Sequence, residues 1–161
     1  MRGKPEKAAP GVKLVAYNRR ARFDYSVEDT LEAGLALTGS EVKSLREGNV
    51  NLQDAYAQPR GDELFLVNCR IGEYRQAAHF GHVPLRDRKL LLRRAEIDRI
   101  RGKVEQRGYT LVPLRLYFKQ GWAKVELGLA RGRAHEDRRD AIAERESKRE
   151  MDRAMARSRR R

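Results

Sequence analysis

One stretch constrains the fold more than any other. Residues 108–132 read GYTLVPLRLYFKQGWAKVELGLARG. Leu114, Leu116 and Phe118 alternate with other residues, and so do Val125, Leu127 and Leu129. A period of two puts each set on one side of an extended chain, whereas a helix would scatter them around its axis. The KQG step between the runs suits a hairpin turn. Two long strands buried on one face therefore form the centre of the expected structure.

The rest of the chain extends this pattern. Phe23, Tyr25 and Val27 alternate, then Leu31, Ala33, Leu35 and Leu37. Gly34 inside that run suggests a bulge or bend. GSEVKSLREGN follows as a two-turn helix, with Ser40 as its cap and Gly48 as its end. Residues 50–58 and 63–69 read as strands joined by a turn at Gly61-Asp62. In RDRKLLLRRAEIDRIRGKVEQRG, Leu90, Ile97, Ile100 and Val104 share a helical face. That helix starts at Asp87, or near Arg94 if KLLL is a last strand. The expectation is a mainly β fold: a small barrel of the oligonucleotide-binding type, with about six strands and two or three flanking helices. An open α+β sheet is the alternative.

The two ends cannot join this core. Residues 1–12 hold two prolines and two glycines and read as a flexible basic arm. Between Arg131 and Arg161 the large apolar residues are Ile142, Met151 and Met155. Ile142 and Met151 are nine residues apart, which places them about 180° apart around a helix. The segment is rich in helix formers but has no stripe to bury, so it is expected to be disordered alone and helical against a partner. The domains expected are the arm 1–12, a barrel 13–130 and a tail 131–161.

Charge points to that partner. The net charge is +13. Residues 1–20 carry six basic residues and one acid, and residues 131–161 carry twelve and seven, so most of the excess lies in the ends. Arg86 to Arg107 adds nine basic residues against four acids. Such a chain should meet a polyanion with two arms and one basic face.

Chemistry of other kinds finds little support. No phosphate-binding loop or dinucleotide fingerprint is present. His79 and His82 lack a third ligand nearby, and Glu28, Asp29 and Glu32 lack converging carboxylates for a two-metal nuclease. Cys69 lies in the apolar run LFLVNC and reads as a reduced core thiol. No apolar run reaches the length of a membrane span, and a cytoplasmic setting is the expectation. No metal, cofactor or catalytic residue is expected. Basic residues near aromatic rings fit nucleic acid better. They are NRRAR at Asn18–Arg22 before Phe23 and Tyr25, the Arg86–Arg94 cluster, and Lys119 and Lys124 around Trp122.

Five stretches together resemble one family: NRRARFDY (18–25), EAGLALTGSEVKSLREG (32–48), RKLLLRRAEI (88–97), the run 108–133 and EDRR (136–139). They are similar to small protein B, the SsrA-binding family that partners transfer-messenger RNA, from about residue 12 to about residue 155. The resemblance implies an RNA-delivery role without catalysis. The tRNA-like end of transfer-messenger RNA would be bound and brought to stalled 70S ribosomes, with elongation factor Tu on the same RNA. It implies that Tyr25, Glu32, Leu91 and Arg93 lie on the RNA face, joined by Asn18, Arg19, Lys89 and Lys124. Arg20, Lys43, Arg88, Arg131 and Arg133 complete the expected RNA contacts. In the tail, His135, Glu136, Asp137, Arg138 and Arg139 are expected in the 16S decoding centre, with the helix beyond them in the empty messenger channel. The chain departs from the family's commoner residues at Phe23 (His), Arg93 (Asn or His) and Glu136 (Tyr or His). A monomer is expected. The alternative function is a permanent ribosomal RNA-binding protein.

Overall fold

The computed structural model of the chain describes residues 10–74, 81–106, 108–132 and 135–159, the last segment without side chains before residue 143. Nine strands and four helices are present among them. In chain order they are β1 (Val12–Tyr17), α1 (Ala21–Asp24), β2 (Tyr25–Leu35), α2 (Gly39–Arg46), β3 (Val50–Asn51) and β4 (Tyr56–Arg60). Then come β5 (Glu63–Val67), β6 (Arg70–Ile71), β7 (Arg88–Leu91), α3 (Arg94–Val104), β8 (Tyr109–Lys119), β9 (Trp122–Gly132) and α4 (His135–Arg159).

The central hairpin forms as its alternation requires. β8 and β9 pair along their length, closed by Gln120 and Gly121, both at positive φ. That geometry twists with the strands, as two-residue hairpin turns prefer. β9 also pairs with β2, β2 with β7, β7 with β5, β5 with β4, and β4 with β8 at Ala57 opposite Leu111. The sheet thus closes into a ring of six strands, while β1 lies along the other half of β8. Closure removes the exposed edges that an open sheet would present.

The inward set fills the ring. Leu64, Leu66, Leu90, Leu111, Leu116, Val125 and Leu127 are buried in one cluster with Leu45, Ile71 and Ile100. Cys69 is buried there too, and burial pushes its thiol up to about 11, so it is an inert core group. A second, smaller cluster lies outside the barrel wall: Ala21, Val112, Leu114 and Ala130, with Tyr25 and Val27 against it.

Several expectations need correction. Leu114 does not share a face with Leu116 and Phe118, because the register shifts between Pro113 and Arg115 and turns Leu114 outward into the second cluster. Residues 50–58 are not one strand: the chain leaves β3 at Leu52, whose side chain turns inward with Ala55, and resumes at Tyr56. Phe23 lies on the short turn α1, not on a strand. The bulge in β2 falls between Val27 and Asp29, not at Gly34. Of the two starts expected for the long helix, the later one holds: KLLL contributes to β7 and the helix begins at Arg94. α2 is capped by Thr38, not Ser40. Thr38 accepts from the Glu41 amide while Glu41 accepts from the Thr38 amide, a reciprocal capping box.

α4 continues for 25 residues with every described side chain exposed. It meets the barrel at α1, where the Arg145 guanidinium lies 5.7 Å from the Phe23 ring.

Candidate nucleic-acid interface

In an antiparallel sheet, residues directly opposite each other project to the same side. The register therefore builds the outer surface row by row. In the first row, Leu91 of β7 opposes Gly34 of β2, which opposes Lys124 of β9, which opposes Tyr117 of β8. The next row is Glu32, Glu126, Arg115 and Tyr17. At the hairpin end, Lys119 opposes Trp122, which is 73% exposed.

Gly34 shapes this face. A Cβ there would stand 3.1 Å from the Leu91 Cβ, so the glycine lets Leu91 lie flat across β2. Leu91 remains 52% exposed, an apolar side chain displayed between charged neighbours. Lys89, two residues before Leu91 on β7, projects to the same side, and Arg93, just past the strand, is exposed. Lys89 pairs with Glu63 at 2.9 Å, while Arg93 sits at the N-cap of α3 and makes no ion pair among the described residues. Such a surface offers an apolar platform beside cations, suited to an unstacked base and its phosphates.

The carboxylates on this face are tightly held. Arg115 donates to Glu126 from both Nε and Nη2. Tyr117 donates its hydroxyl proton to Glu32 Oε2, and Lys119 Nζ lies 3.5 Å from Oε1. That hydrogen bond, against a smaller burial effect, holds the Glu32 carboxyl below its ordinary range.

The expected RNA residues therefore divide. Glu32, Lys89, Leu91 and Lys124 share one face of the sheet, and Arg93 is exposed just past the end of β7 at the start of α3. Tyr25 is half-buried in the second cluster, near the α1 pole. Arg131 stacks 4.3 Å over the Tyr109 ring and lies 3.7 Å from Glu28, so its charge is partly engaged. Arg19 and Arg20 are exposed and line a recess of about 220 Å³ with Tyr17 and Asn51 to Gln53. Lys43 lies on α2 beside Tyr74, on a different element from the rest.

Two expected contacts are structural. Arg88 has no solvent access. It donates to Glu41 and to the carbonyls of Cys69 and Pro84. Asn18, 5% exposed, uses its amide protons on the Leu52 and Pro113 carbonyls and pins the end of β1. In both cases a polar side chain is buried and donates its hydrogen bonds to the fold. Arg133 lies outside the described residues, as do the side chains of His135, Glu136, Asp137, Arg138 and Arg139.

Three residues of the face, Arg115, Glu126 and Tyr117, were not singled out from the sequence. The signal was available, since they are the outward members of the same alternation that marks Leu116, Phe118, Val125 and Leu127 as inward. As for metal chemistry, His79 lies outside the described residues. His82 is buried and hydrogen-bonded to the Ile71 carbonyl and to Ser40, both at 2.9 Å. No group of three metal-ligating side chains occurs among the described residues.

The sequence pattern of the family described as SmpB protein matches residues 15–157. The chain belongs to the SmpB family. It is 83% identical to the SsrA-binding protein of Anaeromyxobacter sp. (strain K), over 99% of this chain and 96% of that one. To the SsrA-binding protein of Myxococcus xanthus (strain DK1622) it is 66% identical, over 92% and 91%. A solved structure described as "tmRNA-SmpB: a journey to the center of the bacterial ribosome" contains a chain 48% identical, with a TM-score of 0.65. That match covers 79% of this chain and 93% of the other. SmpB relatives thus share both the sequence pattern and the barrel.

Proposed function

We propose that this chain is an SsrA-binding protein of trans-translation. Its barrel binds the tRNA-like domain of transfer-messenger RNA and brings it to stalled bacterial ribosomes. The observation that carries the reading is the exposed Leu91, opposite Gly34 on the face that also carries Glu32 and Lys124, in a chain so similar to SsrA-binding proteins. Binding, with no catalytic step, is the whole of the activity. Elongation factor Tu would act on the same RNA, and the chain would work as a cytoplasmic monomer.

The tail has a separate task. The tail 131–161 carries twelve basic residues against seven acids, and every described side chain of α4 is exposed, so its ordering is offset where RNA phosphates surround it. It would occupy the messenger channel, with residues 135–139 at the decoding centre. A full-length message would exclude it, so selectivity for stalled ribosomes would come from steric competition.

The test is a titration of the full chain, and of a chain ending at Arg131, against the tRNA-like RNA at two salt concentrations. Similar affinities support recognition by the barrel. A large loss on truncation, with a shallower salt slope, would make the tail a general phosphate clamp. The basic ends also suit a permanent ribosomal protein, and a high-salt wash separates the readings: a factor leaves the ribosome and a component stays.

A further inference from the structure

Glu32 is an anomaly on a face meant for a polyanion. An ionised carboxylate accepts hydrogen bonds and repels phosphate, so its place there needs a reason. The groups around it supply one. Tyr117 is 8% exposed, while Glu32 stands exposed above it. The phenol reaches across β9 from the row of Lys124 and Gly34 and donates to Oε2. Lys119 flanks Oε1 at 3.5 Å. Opposite Glu32, Glu126 is turned to its own donor, Arg115, so the two carboxylates do not share a proton or a cation.

We propose that Tyr117 is a positioning residue for RNA recognition: its hydroxyl fixes the Glu32 carboxylate so that an outward lone pair is held for an N–H or O–H donor of the nucleic acid. This rests on the RNA-binding reading above. A buried phenol has two side-chain torsions, both set by packing, so it orients its acceptor more firmly than a flexible lysine does. A carboxylate offers about four acceptor sites. Tyr117 and Lys119 engage the inner ones, and the remainder face the position of a bound strand beside Leu91. Lys124 and Lys119 take the phosphates, and Glu32 takes a donor. The donor is a ribose 2′-hydroxyl or a base amine, and both present the same chemistry to the carboxylate. Tyr117 also keeps Glu32 ionised, because its hydrogen bond favours the charged form.

The experiment measures affinity of the full chain for a tRNA-like RNA transcript, at fixed salt, for the native protein, Tyr117→Phe, Glu32→Gln and the double variant. Tyr117→Phe should bind about tenfold more weakly, a change of about 1.4 kcal/mol. In the Glu32→Gln background the same substitution should cost little more. The pH at which affinity falls on acidification should move upward in Tyr117→Phe. A structural phenol would not shift that profile. Thermal unfolding identifies any loss of fold, and Glu32→Gln keeps the shape of the side chain as a second probe. Transcripts with 2′-deoxy substitutions, or with base analogues lacking the exocyclic amine, identify the donor: its removal should abolish the effect of Glu32→Gln. The proposal is overturned if Tyr117→Phe binds as the native chain does, if the two losses multiply in the double variant, or if neither transcript series removes the Glu32 effect. Failure of the native chain itself to bind would instead sink the RNA-binding reading, and this one with it.

Discussion

Glu41 and Arg88 form an ion pair in which neither side chain touches solvent. Arg86 closes the other carboxylate oxygen at 2.6 Å, and the Thr38 amide adds a further donor. One carboxylate thus ties α2 to β7 and to the loop before it. Removing one member of such a pair strands the other in the core, which costs about 3–5 kcal/mol. Arg88→Met and Glu41→Gln should each lower stability by about that amount in urea unfolding, with RNA affinity of the folded fraction unchanged. If Arg88→Met were stable but bound RNA poorly, Arg88 would be a contact after all.

The same cluster sets an acid limit. Burial alone would raise the Glu41 carboxyl, but the hydrogen bonds from Arg86, Thr38 and Arg88 outweigh it and bring it from 4.5 down to about 2. Between those values the unfolded chain holds the extra proton, so stability rises with pH. The contribution is therefore complete above about pH 4.5 and is lost as pH falls toward 2. Stability of the native chain should decline more steeply through this window than that of Glu41→Gln, measured by denaturant midpoints at a series of pH values.

How much of this was legible beforehand depends on what each residue's role required. Period-two runs at Leu116–Phe118 and Val125–Leu129 show which way side chains point, and that gave the barrel's central hairpin. They do not reveal the shift between Pro113 and Arg115, because a bulge is one unpaired residue with no compositional mark. Leu114 therefore faces the outer cluster although its alternation points inward. Charge signals exposure on average and fails at Arg88, where acceptors from three separate parts of the chain converge: the Glu41 carboxylate, the Cys69 carbonyl and the Val83–Pro84 carbonyls. Glu41 lies 47 residues away in sequence, so no local pattern could have announced the pair. Glu32, Leu91 and Lys124 are expected on the RNA face from family resemblance, whereas Arg115 and Tyr117 on β8 beside them follow from register alone.

Gly34 is the position where that face is most sensitive to a single carbon. An added Cβ at 3.1 Å from Leu91 is tighter than ordinary contact, and Leu91 must shift to accept it. Overpacking of this kind typically costs about 1–3 kcal/mol. Gly34→Ala should lower the thermal midpoint and weaken RNA binding together. Leu91→Ala should weaken binding alone, since its side chain is exposed. Equal loss of stability in both would contradict the geometry.

Lys124 and Leu91 should separate by salt. A lysine that neutralises one phosphate releases its counterion, so Lys124→Ala should reduce the salt slope by about one unit. Leu91 carries no charge, and Leu91→Ala should lower affinity equally at all salt concentrations. Parallel slopes for the native chain and Lys124→Ala, from titrations over a range of potassium chloride, would remove Lys124 from the phosphate contacts.

The tail should be thermodynamically separable from the barrel. Among the described residues, the side-chain contact between them is Arg145 over Phe23 at 5.7 Å. An exposed interaction of that type is worth about 0.5–1 kcal/mol. The described side chains of α4 bury nothing else, and a polar helix without tertiary contacts is marginal in water. A chain ending at Arg131 should therefore unfold at the same temperature as the full chain. Phe23→Ala should speed amide exchange within residues 143–159 while leaving exchange in β8 and β9 unchanged. If truncation lowered the unfolding temperature of the barrel, α4 would be part of the folded unit, and a role that depends on its leaving the barrel for the ribosome would be hard to sustain.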